Sequence, residues 1–254
     1  MKSEKMHAIR EMHTEVNAPM STILAVDTSS EACSIALLKE GQVFAEFVEA
    51  PRQHTQRLLP MIDALLSAQG VKPSELDAIA YGRGPGSFTG LRICLGVVQG
   101  LAFSADVPVI PVSTLETMAQ GAISRFRLPL GHKILTVLDA RMSEIYGGLF
   151  ENCESSPKAV IDEFVGAPSD LDGCQPLSET PVAELTKIGA GCHYSDIQSI
   201  SASQEVQTFL PRAEDMLPLA EKALLAGKVV RAEDAQPVYL RDSVAWKKRE
   251  RIRQ

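Results

Sequence analysis

The sequence predicts an α/β fold made of two similar halves, each with a mixed sheet and flanking helices. The first reason is the order of its hydrophobic patterns. Three short strands, a helix, a strand and a helix follow one another from residue 22, and a similar order begins again at residue 133. The second reason is that each half opens with an apolar strand ending in an aspartate, Asp27 in ILAVD and Asp139 in ILTVLD.

In the first half, short apolar runs predict strands, and apolar residues at helical spacing predict helices. Glu40-Gly41 is a hairpin signal, so the first three strands form an antiparallel meander. Pro60 marks either the first turn of a helix or a kink in it. Ser113 and Glu116 have the spacing of a capping box. The predicted strands are 22–26, 33–38, 42–48, 76–81 and 107–112, and the predicted helices are 53–69, 89–105 and 116–122.

The second half begins in the same way and then follows a looser pattern. Residues 133–138 and 144–150 predict strands. Farther on, the chain predicts a strand at 182–188, a helix at 213–226 and an extended segment at 235–240. Two such halves face each other in the fold shared by actin, sugar kinases and Hsp70, where the first hairpin of each half holds a nucleotide phosphate. The alternative is two unrelated α/β stretches that share an aspartate by chance.

The predicted domains are an N-terminal extension at 1–20, an actin-like subdomain at 21–130 and a smaller one at 131–254 with a basic tail. The extension is polar and lacks periodicity, so Met20 is a candidate for the true start. The net charge is 25 − 32 = −7, which does not fit a whole-surface nucleic-acid binder. Residues 241–254 hold six basic and two acidic residues, which predicts a solvated tail or a local nucleic-acid contact.

Composition excludes several other classes of protein. With 45% hydrophobic and 22% charged residues, the chain is neither disordered nor a collagen-like or heptad repeat. Its uninterrupted apolar runs are shorter than the roughly 20 residues that span a bilayer, and its N-terminus lacks a secretory apolar segment. The five cysteines include no closely spaced pair. We therefore expect a cytoplasmic protein with reduced thiols and no membrane contact.

The segment Gly84-Pro85-Gly86-Ser87-Phe88-Thr89-Gly90 follows a strand and opens a helix. Glycines allow positive φ and close backbone approach, and the free N–H groups of a helix start favour an anion. Gly84, Gly86, Ser87 and Gly90 are therefore candidate nucleotide-binding residues. The alternative is a strained turn capped by Ser87 or Thr89. Because no Gly-Lys-Ser/Thr follows, this is not a Walker loop.

Asp27-Thr28-Ser29 resembles the first phosphate hairpin of the same fold, in which an Asp orients a metal-bound water and hydroxyls contact phosphate. Thr28 stands where a glycine is expected, and its side chain would crowd a phosphate. The favoured alternative is a capped hairpin turn. In the counterpart Asp139-Ala140-Arg141, the arginine either pairs with Asp139 or binds phosphate.

No catalytic or metal-binding set is predicted. His54 lies at a helix start, but Arg57 and Leu58 occupy the positions where a second metal ligand would stand. The other histidines are scattered, and no nucleophile elbow is present.

The helix at 89–105 carries Gly96 and Gly100 on one face. A glycine inside a helix costs roughly 1 kcal/mol relative to alanine, and close packing against another helix offsets that cost. The packing is either internal or across a subunit interface.

The run GRGPGSFTGLR at 82–92, together with the opening ILAVDTSSEACSIALL, resembles the TsaB family, also called YeaZ. Further matches are RQHTQRLLPMIDALL, the Ser113-Thr114-Leu115 strand exit, LDAR followed by Tyr146, and the terminal PVYLRDSVAWKK. The resemblance covers about residues 20–248. Its GPGSFTGLR segment is highly specific, and the terminal segment points to the proteobacterial branch.

The resemblance implies a role in making threonylcarbamoyladenosine next to the anticodon of ANN-decoding tRNAs. There TsaD is the catalytic subunit, a TsaB protein is the non-catalytic scaffold that binds and activates it, and the ATPase TsaE joins the pair. TsaD binds metal through paired histidines on its first long helix, whereas the equivalent helix here offers only His54. The resemblance thus implies no cofactor required by this chain, ATP or ADP at the complex interface, and tRNA contact only through the complex.

The resemblance also implies which surface binds the partner. In the family, the first two long helices bundle with those of TsaD, or with a second copy as a homodimer when TsaD is absent. Here those helices are 53–69 and 89–105. The implied interface residues are Leu58, Met61, Ile62, Leu65, Leu91, Leu95, Gly96, Val98 and Gly100.

The alternative function is an active enzyme of the same fold, either a nucleotide-binding phosphotransferase or a metallopeptidase. A phosphotransferase would bind Mg-ATP through Asp27, Ser29 and the loop 84–90. The sequence leaves open the stoichiometry with TsaD, the role of residues 1–19 and contact between the basic tail and tRNA.

Overall fold

The computed structural model describes residues 20–154 and 156–241. The predicted N-terminal extension, apart from Met20, and most of the basic tail lie outside the described residues. The strands are β1 (Ile23–Asp27), β2 (Ala32–Lys39), β3 (Gln42–Glu49), β4 (Ala78–Gly84), β5 (Val109–Ser113), β6 (Lys133–Arg141), β7 (Glu144–Asn152), β8 (Pro157–Gly166), β9 (Leu185–Ile188) and β10 (Gln204–Val206). The α-helices are α1 (His54–Ala68), α2 (Phe88–Ala105), α3 (Thr114–Phe126), α4 (Gln175–Ser178), α5 (Ser195–Ser199) and α6 (Ala213–Leu225).

The strands form two five-stranded sheets with the same internal order. The first sheet runs β3-β2-β1-β4-β5 and the second runs β8-β7-β6-β9-β10. In each, the opening three strands are antiparallel and the last two join in parallel. The repeated order confirms the predicted duplicated fold, with two mixed sheets and flanking helices. We call each sheet with the helices that cover it a lobe.

Helices cover both faces of the first sheet. Successive side chains of a strand point to opposite faces, so Leu24 and Val26 of β1 pack under α1 and α2. Ile23 and Ala25 of the same strand pack against α6. All of β1 is buried as a result, which explains its unbroken apolar sequence.

The chain returns to the first lobe after completing the second sheet. Helix α6 packs on the first sheet, and Val230 then pairs with Val109 of β5. The predicted boundary near residue 130 therefore separates the two sheets, whereas α6 lies on the far side of that boundary in sequence and against the first sheet in space.

Most predicted elements of the first half are present with small shifts of their ends. Ser113 caps α3 through a 3.1 Å hydrogen bond from the Glu116 N–H. Pro60 lies inside α1. In the second half, β9 is shorter than the predicted strand at 182–188, because residues 182–184 form a 3-10 turn. Strand β8, which sequence analysis missed, is an edge strand with charged, half-exposed residues.

Candidate functional site

The structure brings the two predicted phosphate-binding segments together and packs them against each other. The Thr28 hydroxyl donates a 2.8 Å hydrogen bond to the carbonyl oxygen of Gly90. The N–H of Ser87 donates a 2.7 Å bond to the carbonyl oxygen of Ser29. Ser87 is also the N-cap of α2, accepting a bond from the Gly90 N–H. The turn after β1 and the start of α2 are thus joined by one side-chain and one backbone hydrogen bond.

The glycines of the loop are explained by this contact. A Cβ atom at Gly86 would lie 2.5 Å from the Ser29 carbonyl oxygen, and one at Gly90 would overlap the Thr28 carbonyl. Gly84 has φ of +105° and lies against the main chain of Val238. These glycines allow the two segments to approach each other closely, because a side chain at Gly86 or Gly90 would collide with the facing backbone.

Asp27 closes the first turn and is itself buried. Its Oδ1 accepts hydrogen bonds from the Ser29 N–H at 2.9 Å and the Ser29 hydroxyl at 2.8 Å. Its Oδ2 has no hydrogen-bond partner among the described residues, and a side chain at Gly82 would overlap it. Burial raises the pKa of Asp27 to about 6, against the opposing effect of the Ser29 hydrogen bonds. The capped hairpin turn is therefore confirmed, and Asp27 does not face solvent, where it would meet a hydrated metal ion.

The second lobe closes its corresponding turn with its own arginine. Asp139 accepts a 2.8 Å bond from the Arg141 N–H and pairs with the Arg141 guanidinium at 3.2 Å. The Tyr194 hydroxyl also donates to Asp139, at 3.1 Å. The sequence left Arg141 either to pair with Asp139 or to bind phosphate, and in the structure it pairs with Asp139.

The cleft between the lobes is acidic. A cavity of about 350 Å³ is lined there by Arg83, Glu116, Phe150, Ala159, Asp162, Glu163, Val238 and Leu240. Glu163 pairs with Arg83 at 3.1 Å and accepts a bond from the Ser113 hydroxyl. Burial, followed by the negative charge of Glu163, raises the pKa of Glu116, which Arg83 opposes. Three carboxylates against one guanidinium disfavour a triphosphate in this cavity.

The described residues contain no group of three His, Cys, Asp or Glu side chains that could hold a metal ion. His54 lies at the start of α1, where its Nε2 is 2.9 Å from the carbonyl oxygen of Ser30. It therefore ties α1 to the turn after β1.

The predicted interface residues divide into two sets. Five of the nine are buried in the core of the first lobe: Leu58, Met61, Ile62, Leu91 and Val98. These five support α1 and α2 from beneath and do not offer a contact surface. The other four remain at least partly accessible: Leu65, Leu95, Gly96 and Gly100.

Helix α2 presents a second row of residues on the side opposite its buried stripe. Phe88, Arg92, Gly96, Gly100 and Phe103 are all exposed and follow one another at helical spacing. No atom lies within 4 Å of a Cβ built on Gly96 or Gly100. We call these five residues the α2 row. Gly96 and Gly100 form its shallow middle, with Phe88 and Arg92 at one end and Phe103 at the other.

Two exposed apolar side chains, one in the α2 row and one on α1, are not among the interface residues that the sequence predicts. Phe103 is 76% exposed on α2, and Leu59 is 54% exposed on α1. Each residue lies outside the apolar stripe of its helix. A single exposed apolar residue does not change the periodic pattern by which such stripes are recognised in a sequence.

Helix α2 is also long and apolar enough, by length and composition alone, to cross a membrane, although only 28% of it is buried. Uninterrupted apolar runs do not reveal this property, because Arg92 and Gln99 interrupt the apolar sequence of the helix. Because Cys94, Val98 and Ala102 pack on the first sheet, the property belongs to a helix with one face in the core and another apolar face uncovered.

The two sheets, their shared strand order and the two aspartate-closed turns define a duplicated α/β protein of the sugar-kinase and actin class. A family model described as TsaD, tRNA N6-adenosine threonylcarbamoyltransferase, matches residues 48–249. The chain is 44% identical over 231 residues to tRNA threonylcarbamoyladenosine biosynthesis protein TsaB of Escherichia coli, covering 89% of this chain and 97% of that protein. Identity with TsaB of Haemophilus influenzae is 39% over 241 residues, covering 89% and 96%.

Among solved structures, YeaZ from Pseudomonas aeruginosa superposes with a TM-score of 0.80 at 42% identity. The match covers 87% of this chain and all of that one. The chain belongs to the TsaB family, among the proteins that the TsaD model recognises. The family resemblance carried by GPGSFTGLR is thereby confirmed.

Proposed function

We propose that this chain is a non-catalytic scaffold that binds and activates TsaD for threonylcarbamoyl transfer to the adenosine next to the anticodon in ANN-decoding tRNAs. The reaction is taken from the TsaB relatives, which are named for tRNA threonylcarbamoyladenosine biosynthesis. The observation that carries the proposal is the α2 row, an exposed track over Gly96 and Gly100 on an otherwise apolar helix. Small residues let a partner helix approach closely, and the aromatic ends supply contact area.

Three features support a non-catalytic role. The loop at Gly86 and Gly90 packs directly against the chain's own backbone, and Asp27 is buried. Three of the four charged side chains that line the interlobe cavity are carboxylates. We therefore propose that the chain requires no cofactor of its own, and that ATP or ADP binds at the interface of the complex.

The proposed partners are TsaD in a heterodimer, the ATPase TsaE, and a second copy of this chain when TsaD is absent. Contact with tRNA occurs through the complex, in the cytoplasm. The acidic cleft supports this division of labour, since it would repel a phosphate backbone.

Gly100→Leu and Leu65→Asp test the proposed interface. Leucine at Gly100 meets open space, so the variant folds and blocks the track. Aspartate at the half-buried Leu65 places a charge at the seam. We expect both variants to keep the wild-type circular dichroism spectrum and to lose TsaD in pull-down and titration calorimetry. They should also fail to support tRNA modification reconstituted with TsaD and TsaE.

Leu225→Asp is the control, because Leu225 is an apolar residue that is 68% exposed on α6, and α6 covers the opposite face of the first sheet. It should bind TsaD like the wild type. Retention of TsaD by folded Gly100→Leu would contradict the proposed interface.

Calorimetry of the isolated chain with ATP and Mg²⁺ separates the scaffold from the alternative, a phosphotransferase. Micromolar binding with turnover in the absence of TsaD would refute the scaffold proposal. A metallopeptidase needs a set of metal ligands, and none is assembled within 20–154 and 156–241.

A further inference from the structure

The last described segment, residues 235–241, crosses the cleft between the lobes, and we call it the strap. It has no regular secondary structure, yet its main chain is held to the first lobe at three points. The hydrogen bonds are Gln99 Nε2 to the Ala235 oxygen at 3.1 Å, the Tyr81 hydroxyl to the Gln236 oxygen at 3.0 Å, and the Val238 N–H to the Arg83 oxygen at 2.7 Å.

The far end of the strap is held by the second lobe. Arg241 forms an ion pair with Glu144 and donates a 3.2 Å bond to the carbonyl oxygen of Ala140. Both partners flank the turn between β6 and β7. Three consecutive residues of that turn, Arg141, Met142 and Ser143, have φ between +58° and +64°. Side-chain-bearing residues adopt this left-handed conformation only where their surroundings hold it, and Arg241 is part of those surroundings.

The middle of the strap reaches the α2 row. The Tyr239 ring lies 5.6 Å from the ring of Phe88, and its hydroxyl accepts a 3.1 Å bond from Arg92 Nε. The Arg92 guanidinium in turn stacks 3.6 Å above the Phe88 ring. The end of the α2 row that carries Phe88 is therefore built jointly by α2 and the strap.

The strap also forms one wall of the interlobe cavity, through Val238 and Leu240. Displacing it would open the cavity, release the turn at 141–143 and remove Tyr239 from Phe88 and Arg92 in a single movement.

We infer that the strap is a coupling element, which sets the position of the second lobe and the shape of the α2 row together. This inference rests on the proposed function in one respect, namely that a partner binds the α2 row. A partner that contacts Phe88 and Arg92 in their strapped arrangement binds the strapped state better than the released state. By linkage, partner binding and the fixed position of the second lobe favour each other.

The distance between the lobes tests the coupling without any partner. Spin labels are placed at Ser67→Cys on α1 and Lys158→Cys on β8, after the half-exposed Cys153 and Cys174 are changed to serine. Pulsed electron resonance should give one narrow distance distribution for the wild-type strap. Tyr239→Ala combined with Arg241→Gln should broaden it, whereas Gln236→Ala, an exposed strap side chain, should not.

A charge exchange gives the rescue. Arg241→Glu alone should broaden the distribution, and adding Glu144→Arg should narrow it again because the ion pair is restored with reversed polarity. If the variant with Tyr239→Ala and Arg241→Gln fails to fold, the test is the comparison of Arg241→Glu alone with Arg241→Glu combined with Glu144→Arg. A distribution unchanged in the strap variants would overturn the inference.

Affinity for TsaD provides the second arm. We expect the double strap variant to bind TsaD about tenfold more weakly, which corresponds to losing one aromatic and one hydrogen-bonded contact, and Gln236→Ala to bind normally. Broadened distances with unchanged affinity would overturn the coupling. Failure of the wild type to bind TsaD would instead contradict the proposed function, and the distance arm would then decide the strap's role in holding the lobes.

Discussion

Thr28 and Gly90 lie 62 residues apart in sequence and are joined by a buried hydrogen bond of 2.8 Å between the threonine hydroxyl and the glycine carbonyl. The side chain that would crowd a phosphate in a nucleotide-binding relative of this fold therefore holds the first turn of α2 in place. The same pair of residues positions the helix on which partner binding is proposed to depend.

Gly90→Ala should destabilise the protein strongly. Its methyl group would overlap the Thr28 carbonyl, a backbone atom that cannot rotate away. We expect a loss of about 2–3 kcal/mol in the free energy of unfolding, measured by urea denaturation. Gly96→Ala on the same helix meets open space and should gain up to about 1 kcal/mol from helix propensity. Equal effects at the two positions would contradict the close contact at Gly90.

Asp27→Asn should stabilise the protein at neutral pH. Burial raises the native pKa of Asp27 from 3.8 to about 6, so the native state binds more protons than the unfolded state between these values. Stability therefore falls as pH rises through that range, by about 3 kcal/mol in total. Asparagine removes this loss and keeps an oxygen for the Ser29 hydrogen bonds. Its advantage in urea denaturation should be large at pH 7 and small at pH 4.

The comparison must be made between the two proteins at each pH, because burial also raises the pKa of Asp215 to about 6 in spite of its pairing with Arg125. Both proteins retain Asp215, so its effect cancels. Asp139→Asn at the equivalent turn of the second lobe is the control. An Asp27→Asn profile parallel to the wild type would show that Asp27 does not titrate in this range.

Phe103→Asp should leave stability nearly unchanged and weaken TsaD binding at least tenfold. The side chain is 76% exposed, so its replacement costs little within the subunit, while a charge at the end of the α2 row is unfavourable in a packed helix seam. Leu130→Asp, another exposed apolar residue, serves as the control in calorimetry with TsaD. Equal affinity for both variants would remove Phe103 from the interface.

Glu163→Gln should lower the pKa of Glu116. The negative charge of Glu163 is the second cause that raises it, after burial, so the pKa should fall and still remain above its ordinary value. Carboxyl titration by NMR measures this directly. Asp162→Asn changes an exposed carboxylate of the same cavity and should have a smaller effect. A larger shift in the pKa of Glu116 for Asp162→Asn than for Glu163→Gln would contradict the assignment of Glu163 as the carboxylate that acts on Glu116.

The sequence was informative where local pattern decides the outcome. An unbroken apolar strand ending in Asp27 predicts a buried strand and a closed turn, because side-chain periodicity and aspartate capping act within a few residues. It was less informative about whether an apolar helix face packs on the sheet of its own lobe or against a partner. Leu58 and Val98 have the spacing of an interface stripe, yet the same spacing serves the sheet beneath them, and only the three-dimensional packing distinguishes the two. Strand β8 was hidden because its charged residues interrupt the apolar pattern.

The return of α6 to the first sheet has a consequence for how the protein is made. Ile23, Ala25 and Ala36 emerge early from the ribosome, but the helix that covers them ends only at Leu225. During synthesis, the first sheet therefore has one face protected and one face bare for most of the time that the second sheet is being translated. Completion of the amino-terminal lobe is a late event, and a fragment ending near residue 130 should require a supplied α6 peptide to remain soluble.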